Sequence, residues 1–132
     1  MDKINLEEAF KAIAVLLHQK IVLVITAFKE PNIRKAIESA IAQKTKYDYQ
    51  ILISAPDKET LDIAEEYARK DKRIKLFQDQ GKGKSYALNI LFEKLEADII
   101  LLTDGDVSLS DNAVEELVAL FSDPEIGCAT GR

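Results

Sequence analysis

The sequence predicts an α/β fold, an open and mainly parallel twisted sheet with helices on both faces. Short runs rich in Ile, Val and Leu alternate along the chain with amphipathic patterns of helical period. Strands that alternate with helical patterns of about 10 to 15 residues indicate right-handed crossovers and a parallel sheet. Polar loops follow several of the apolar runs, at the ends of strands where such sheets bind their ligands.

The first two strands and the helix between them show clear patterns. Residues 21–26, IVLVIT, form a continuous apolar run that indicates a strand buried on both faces. Pro31 and Asn32 are placed to begin a helix, and a second strand is predicted over residues 50–54. The helix itself is indicated by a single apolar stripe, formed by Ile33, Ala36, Ile37, Ala40 and Ile41.

The same alternation continues in the middle of the chain. A helix is predicted over about 58–70, with Leu61, Ala64 and Ala68 facing inward. A strand is predicted over residues 74–77. This segment therefore adds one more strand–helix–strand unit to the sheet.

The last third of the chain repeats the pattern again. After a glycine-containing loop, residues 98–103, DIILLT, form the most apolar predicted strand, which we expect to be the most buried one. A last helix is predicted over about 111–122, and residues 126–129 are predicted to begin another strand. The helix before DIILLT is marked by Ala87, Leu88, Leu91 and Leu95.

The N-terminal residues are predicted to stand apart from this domain. Residues 1–19 are interpreted as an amphipathic helix that packs on an α/β domain of residues 20–132. Its polar face is not strongly basic, which disfavours binding to a membrane surface. The helical spacing is carried by Leu6, Phe10, Ile13 and Leu17.

Composition limits the classes of function. A chain of 132 residues fits one domain, and its net charge of −5 argues against a nucleic-acid partner, which requires a basic face. Cys128 is the only cysteine, so the composition fits a reducing cytoplasm. The longest apolar run, Ile21 to Phe28, is too short to span a membrane. We expect a cytoplasmic protein, at the cytoplasmic face of a membrane if a longer parent carries membrane helices.

Two carboxylates follow the most apolar predicted strand. Asp104 and Asp106 flank Gly105, which allows a tight backbone turn between them. Hard oxygen ligands suit Mg²⁺ or Mn²⁺, which would bridge to a substrate diphosphate. The alternative interpretation is an acidic turn that ends the strand and caps the next helix.

A glycine–lysine loop precedes the third helix. In residues 81–85, GKGKS, backbone N–H groups, the positive end of the helix and two lysines are placed to face phosphate oxygens. The segment also resembles a nucleoside-triphosphate P-loop that would use Lys84, Ser85 and Asp104, but Gln78 replaces the first glycine of that loop. A solvated glycine-rich turn is the plain structural interpretation.

Three segments together, in this order, resemble the nucleotide-binding half of inverting family-two glycosyltransferases of the GT-A fold, which include enzymes that assemble cellulose, hyaluronan and other polysaccharides. These segments are IVLVITAFKEPNIRKAIESAIAQ, GKGKSYALN and ILLTDGDV, and the resemblance covers about residues 20–132. It implies that the chain binds a nucleoside diphosphate sugar, with a UDP-sugar as the expected donor, through a divalent cation.

The resemblance also implies a role for individual residues. Thr26 and Phe28 would border the base, Glu30 would lie near the ribose, and Lys84 near the diphosphate. Asp104, with Gly105 beside it, would contact the ribose or the sugar diphosphate, and Asp104 and Asp106 together would hold the metal. Asn89 would support the loop that carries Lys84. Stacking by Phe28 has an independent rationale, because every base has an aromatic face.

Two departures from the family pattern matter. The family places adjacent aspartates at the end of its second strand to bind uracil, whereas this chain has Ser54 to Asp57 there, so Asp57 is a candidate substitute. The family's general-base aspartate and acceptor-binding elements come later than Arg132, so we expect this chain to bind donor without completing transfer and assign no catalytic residue. A non-catalytic interaction module is the remaining alternative. The acceptor and the oligomeric state are not indicated.

Overall fold

The computed structural model of the protein describes residues 19–131. In these residues one parallel sheet of four strands has the order β3-β2-β1-β4. The predicted α/β class and the parallel sheet are confirmed. The strands are β1 (Ile21–Thr26), β2 (Gln50–Ala55), β3 (Ile74–Gln78) and β4 (Ile99–Asp104).

Each strand is followed by a helix that runs back along the sheet. The second and fourth helices lie within about two residues of their predicted bounds of 58–70 and 111–122, which is the usual uncertainty of helix ends. They are α1 (Ile33–Ile41), α2 (Lys58–Ala68), α3 (Lys84–Lys94) and α4 (Ala113–Leu120).

The two faces of the sheet are covered unequally. One face carries the larger hydrophobic cluster, to which α1, α2 and α4 contribute Ile37, Ala64 and Val118 among others. The opposite face carries a smaller cluster in which Leu91 of α3 packs on Val24 and its neighbours in the sheet. Helices therefore lie on both faces as predicted, and α3 is the one helix of residues 19–131 that covers the second face.

The loop between β4 and α4 is attached to the end of α1. The side-chain amide of Gln43 donates to the carbonyl oxygen of Ser110 at 2.7 Å and accepts from the N–H of Val114 at 2.9 Å. The hydroxyl of Ser39 accepts from the N–H of Leu109 at 2.9 Å. Because Asn112, the N-cap residue of α4, makes no side-chain capping bond, Gln43 caps this helix from a distance.

Two predictions about the sheet are wrong. Residues 126–129 form no strand and pair with none of the described strands; Gly127 interrupts this short apolar segment, and glycine disfavours extended pairing. The most buried strand is β1 rather than β4, because β1 is central whereas β4 lies at an edge of the described sheet. Leu102 of β4 is accordingly 51% exposed.

The inward face of α2 is also rotated from its prediction. Thr60 and Ala64 are buried and Ala68 packs against the core, but Leu61 is only half-buried. The ring of Tyr67 takes part of the space instead. The prediction placed the start of the buried stripe at Leu61 rather than Thr60, because it counted only apolar residues.

The predicted helix of residues 1–19 lies outside the described residues except for Gln19, so it stays a prediction, as does the domain boundary at residue 20. In residues 19–131 none of the helices has both the length and the apolar character needed to cross a bilayer.

Candidate functional site

The sheet changes direction at β1, and this change creates a cleft. The chain passes from β1 to β2 on one side and later returns to place β4 on the other side. At such a switch point the connecting loops leave in opposite directions and open a crevice at the carboxyl ends of the strands. The candidate site lies there.

A row of aligned side chains forms the floor of this crevice. Thr26 is in register with Ser54 on one side and with Asp104 on the other, and Ser54 is in register with Phe77. Residues in register share one face, and alternate residues of a strand share it too. This row therefore lies on the face of Val24, the same face that α3 covers.

Asp104 is the centre of the polar contacts at the site. Its carboxylate forms an ion pair with Lys84 and accepts a hydrogen bond from the hydroxyl of Thr26 at 3.1 Å. The hydrogen bond from Lys84 lowers the pKa of Asp104, with a smaller contribution from Thr26, and burial opposes this change. Asp104 is therefore a carboxylate at neutral pH, and three predicted site residues are in direct contact.

The glycine loop brings Lys84 to this place. Gly81 and Gly83 have φ values of 71° and 100°, a region that residues with a Cβ rarely adopt. Asp79 accepts from the N–H of Gly81 at 2.8 Å and so stabilises the turn. Gly83 is the N-cap of α3, so the first turn of the helix and Lys84 face the cleft together.

The cleft has a volume of about 470 Å³. Phe28 stands at its rim, 64% exposed, with the ammonium group of Lys29 5.4 Å from the centre of its ring. Four of the predicted site residues line the same cleft, in which the end of β4 meets the loops after β1, β2 and β3. The lining consists of Thr26, Ala27, Phe28, Ser54, Pro56, Asp79, Gly81, Gly83, Lys84, Ala87 and Asp104.

Five predicted site residues do not line the cleft: Glu30, Asp57, Asn89, Gly105 and Asp106. The carboxylate of Glu30 accepts from the N–H of Asn32 at 3.0 Å, just before α1. Asn89 is exposed on α3 and makes no side-chain hydrogen bond within residues 19–131. The structure thus places Glu30 beside the cleft loop and Asn89 on the outer surface of its helix.

Asp57 is occupied by contacts within the protein. Its carboxylate accepts from the N–H of Thr60 at 3.0 Å, from the hydroxyl of Thr60 at 2.7 Å, and from the N–H of Lys29 at 3.2 Å. Burial would raise the pKa of Asp57, but these hydrogen bonds outweigh burial and lower it. Lys29 has a φ of 48°, so Asp57 caps α2 and also fixes the left-handed turn that presents Phe28.

Gly105 and Asp106 form the middle of the turn that follows β4. The N–H of Val107 donates to the carbonyl oxygen of Asp104 at 3.1 Å, and the N–H of Gly105 donates to that of Thr26 at 2.8 Å. A Cβ on Gly105 would lie 2.8 Å from the Cβ of Ala27, so the close approach of these loops requires glycine. Asp106 is exposed on this turn, two residues after Asp104.

Residues 19–131 contain no group of three or more His, Cys, Asp and Glu side chains arranged to hold a metal ion. Asp104 and Asp106 nevertheless supply two exposed carboxylates from one short turn, which is a donor set suited to a hard divalent cation. A cation held by two carboxylates takes its remaining ligands from water and from substrate phosphates.

Ser54 and Asp79 line the cleft but were not among the predicted site residues. Ser54 interrupts the apolar strand QILISA just before its end, and Asp79 is the first residue after β3. A polar residue at or just after the carboxyl end of a buried parallel strand indicates a ligand site, because ligands bind at those ends of the strands.

Comparison with known proteins identifies the family. Residues 21–132 match the sequence profile of glycosyl transferase family 2. The chain belongs to this family. The P-loop alternative is disfavoured accordingly, and the glycine loop follows β3, an edge strand of the described sheet.

Relatives of this family 2 chain include named polysaccharide enzymes. It is 26% identical to hyaluronan synthase of Streptococcus pyogenes, over 86% of this chain and 29% of that protein. It is 30% identical to the O-antigen chain rhamnosyltransferase RfbN of Salmonella typhimurium, over 86% of this chain and 37% of that protein. The chain therefore spans about a third of the length of these relatives.

Solved structures share the fold of this family 2 chain. A crystal structure of S. aureus TarS 1-349 superposes with a TM-score of 0.65 at 21% identity, covering 80% of this chain and 32% of that one. At this level of identity the likeness supports the GT-A-like fold alone.

Proposed function

We propose that this chain binds the sugar donor of a glycosyl transfer reaction, a nucleoside diphosphate sugar with UDP as the expected carrier. The observation that supports the proposal is the convergence of Phe28, Lys84, Thr26 and Asp104 on one cleft at the switch point of the sheet. Family membership supplies the class of reaction.

Different parts of the cleft suit different parts of such a donor. Phe28 presents an exposed ring at the rim, on which a base can stack. Lys84 and the first turn of α3 present an ammonium group and backbone N–H groups, which favour a diphosphate. Glu30, adjacent to this rim, is the proposed ribose contact.

Asp104 and Asp106 are the residues that would hold a divalent cation, either Mg²⁺ or Mn²⁺. Such a cation neutralises the negative charge that develops on a departing nucleoside diphosphate. In the donor-bound state Lys84 is proposed to pair with a phosphate oxygen while Asp104 turns to the cation. Breaking the ion pair between Lys84 and Asp104 costs little free energy, since ion pairs between exposed groups contribute little stability.

Glycosyl transfer itself is proposed as the activity of the protein to which this domain contributes donor binding. In an inverting reaction a base deprotonates the acceptor hydroxyl, which displaces the nucleoside diphosphate in one step. None of the cleft residues is assigned as that base, because Asp104 is the proposed cation ligand and the carboxylate of Asp79 accepts from the N–H of Gly81 in the turn before α3.

The proposal is tested by calorimetric titration with UDP-sugars, GDP-sugars and ATP, each with and without Mn²⁺. We expect UDP-sugar binding that requires Mn²⁺ and is lost in Asp106→Ala. Asp62→Ala, which removes an exposed carboxylate from the outer face of α2, is the charge-matched control and should bind normally. Binding of Mg-ATP in preference to sugar nucleotides would support the P-loop alternative, and no nucleotide binding at all would support a non-catalytic interaction module.

A further inference from the structure

Lys84 occupies a carboxylate that the proposed cation would need. Its ammonium group forms an ion pair with Oδ1 of Asp104, the same oxygen that accepts the hydrogen bond from the hydroxyl of Thr26 at 3.1 Å. Among the described residues that line the cleft, Lys84 carries the only ammonium group. An ammonium group and a divalent cation both bind carboxylate oxygens and repel each other, so the two compete for Asp104.

The start of α3 selects this lysine from the two in the glycine loop. Lys84 is the first residue of α3 and directly follows its N-cap, Gly83. The ammonium group of Lys82 instead lies over the ring of Tyr86, 5.1 Å from its centre. Within residues 19–131, Asp104 therefore forms its ion pair with Lys84 and not with the neighbouring lysine.

The charges at the site disfavour a cation that arrives alone. The ammonium group of Lys84 cancels half of the negative charge that Asp104 and Asp106 together would offer to a cation. The side chains of Lys84 and Asp104 are 55% and 51% exposed, so a stronger partner can separate them at little cost. A diphosphate is such a partner, because it carries several charged acceptor oxygens.

We infer that Lys84 is a switch that makes cation binding depend on the diphosphate of the donor. This inference rests on the proposed function. In the ligand-free chain Lys84 pairs with Asp104 and disfavours the cation. When the diphosphate binds, Lys84 pairs with a phosphate oxygen, and Asp104 is released to bind the cation together with Asp106. The chain then binds the cation and the donor together, and each one weakly without the other.

The first test is the affinity of the ligand-free chain for Mn²⁺, measured from the EPR signal of the free ion. We expect Lys84→Met to bind Mn²⁺ about three- to tenfold more tightly than the unmodified chain, because Asp104 loses its competing partner. Lys84→Arg keeps the charge and should bind Mn²⁺ no more tightly than the unmodified chain. Lys94→Met removes the same charge from the far end of α3 and is the control, with unchanged affinity expected.

The second test is the effect of Mn²⁺ on UDP binding, measured by calorimetric titration with and without the ion. The factor by which Mn²⁺ tightens UDP binding equals the factor by which UDP tightens Mn²⁺ binding. We expect Lys84→Met to lower this factor about three- to tenfold, because its ligand-free form already binds Mn²⁺ more tightly. A lysine that only contacts phosphate would lower UDP affinity and leave this factor unchanged.

The inference and the proposed function fail in different ways. Equal Mn²⁺ binding by Lys84→Met and the unmodified chain, or no binding by either, overturns the inference. An equal gain in Lys94→Met also overturns it, because the effect would then come from net charge. Metal-dependent UDP binding with the same factor in Lys84→Met contradicts only the switch. Absence of UDP binding to the unmodified chain contradicts the proposed function, and the diphosphate as releasing ligand with it.

Discussion

At the scale of single residues, Asp57 shows how a carboxylate can serve a site that it does not line. It accepts hydrogen bonds from Thr60 in α2 and from the N–H of Lys29, beside Phe28. Replacement of an N-cap residue by alanine costs about 0.5–2 kcal/mol. We expect Asp57→Ala to lower the free energy of unfolding by about 1–2 kcal/mol in urea titrations, and to weaken nucleotide binding because the Phe28 loop loses its anchor.

The charge of Asp57 makes this contribution dependent on pH. Its pKa in the folded chain is lowered from an ordinary value of 3.8, so the folded state favours the carboxylate. The stabilisation is therefore present above pH 3.8 and is lost as the pH falls through the folded-state value. The difference in unfolding free energy between the unmodified chain and Asp57→Asn, which keeps an acceptor at the cap, should shrink over this acidic range. A difference that stays constant there would contradict the role of the charge.

At the scale of elements, α4 depends on a residue outside it. Gln43 accepts from the N–H of Val114 and donates to the carbonyl oxygen of Ser110, whereas Asn112 makes no capping bond. We expect Gln43→Ala to lower the free energy of unfolding by about 1–3 kcal/mol, because both groups lose their partner. Asn112→Ala should change it by less than about 0.5 kcal/mol. Urea titration measures both, and a larger loss in Asn112→Ala than in Gln43→Ala would contradict this assignment of the cap.

The order and type of the elements follow from local sequence patterns, whereas the exposure of each element depends on its neighbours in the fold. Periodicity and apolar runs predict β1 to β4 and the helices between them, because burial on a sheet selects those residues directly. The exposure of Leu102 depends on which strand lies at the edge of the described sheet, and that is not a property of the local sequence. The wrong strand at residues 126–129 has a local cause, because the prediction gave too little weight to Gly127.

The site was predictable to a similar extent. Asp104, Lys84, Thr26 and Phe28 follow strands or begin a helix, and the topology brings such positions together. Asp57 was expected to face the ligand, but its carboxylate accepts hydrogen bonds from Thr60 and Lys29. The geometry of the two loops, which the local sequence does not specify, determines this orientation.

At the scale of the whole molecule, the site lies on the face of the sheet that carries the smaller hydrophobic cluster of residues 19–131. The larger cluster holds α1, α2 and α4, while α3 is held mainly by Ala87 and Leu91, with Phe92 half-exposed. Elements with little buried apolar surface open locally before the rest of the domain. Since α3 carries Lys84, this part of the cleft belongs to the least buried of the described helices, and binding of the proposed donor should be coupled to the order of α3.

Hydrogen exchange of the ligand-free and ligand-bound chain tests this coupling. We expect the amides of α3 to exchange faster than those of α1 without ligand, because fewer of its side chains are buried. With UDP and Mn²⁺ at about 100 times Kd, ligand stabilises the closed state by about 2.7 kcal/mol, so exchange in α3 should slow by up to about 100-fold. Amides of α2, on the opposite face, serve as the internal control and should slow less wherever they open locally. Equal exchange in α1 and α3 without ligand, or equal protection of α2 and α3 with it, would mean that the site shares the stability of the whole domain.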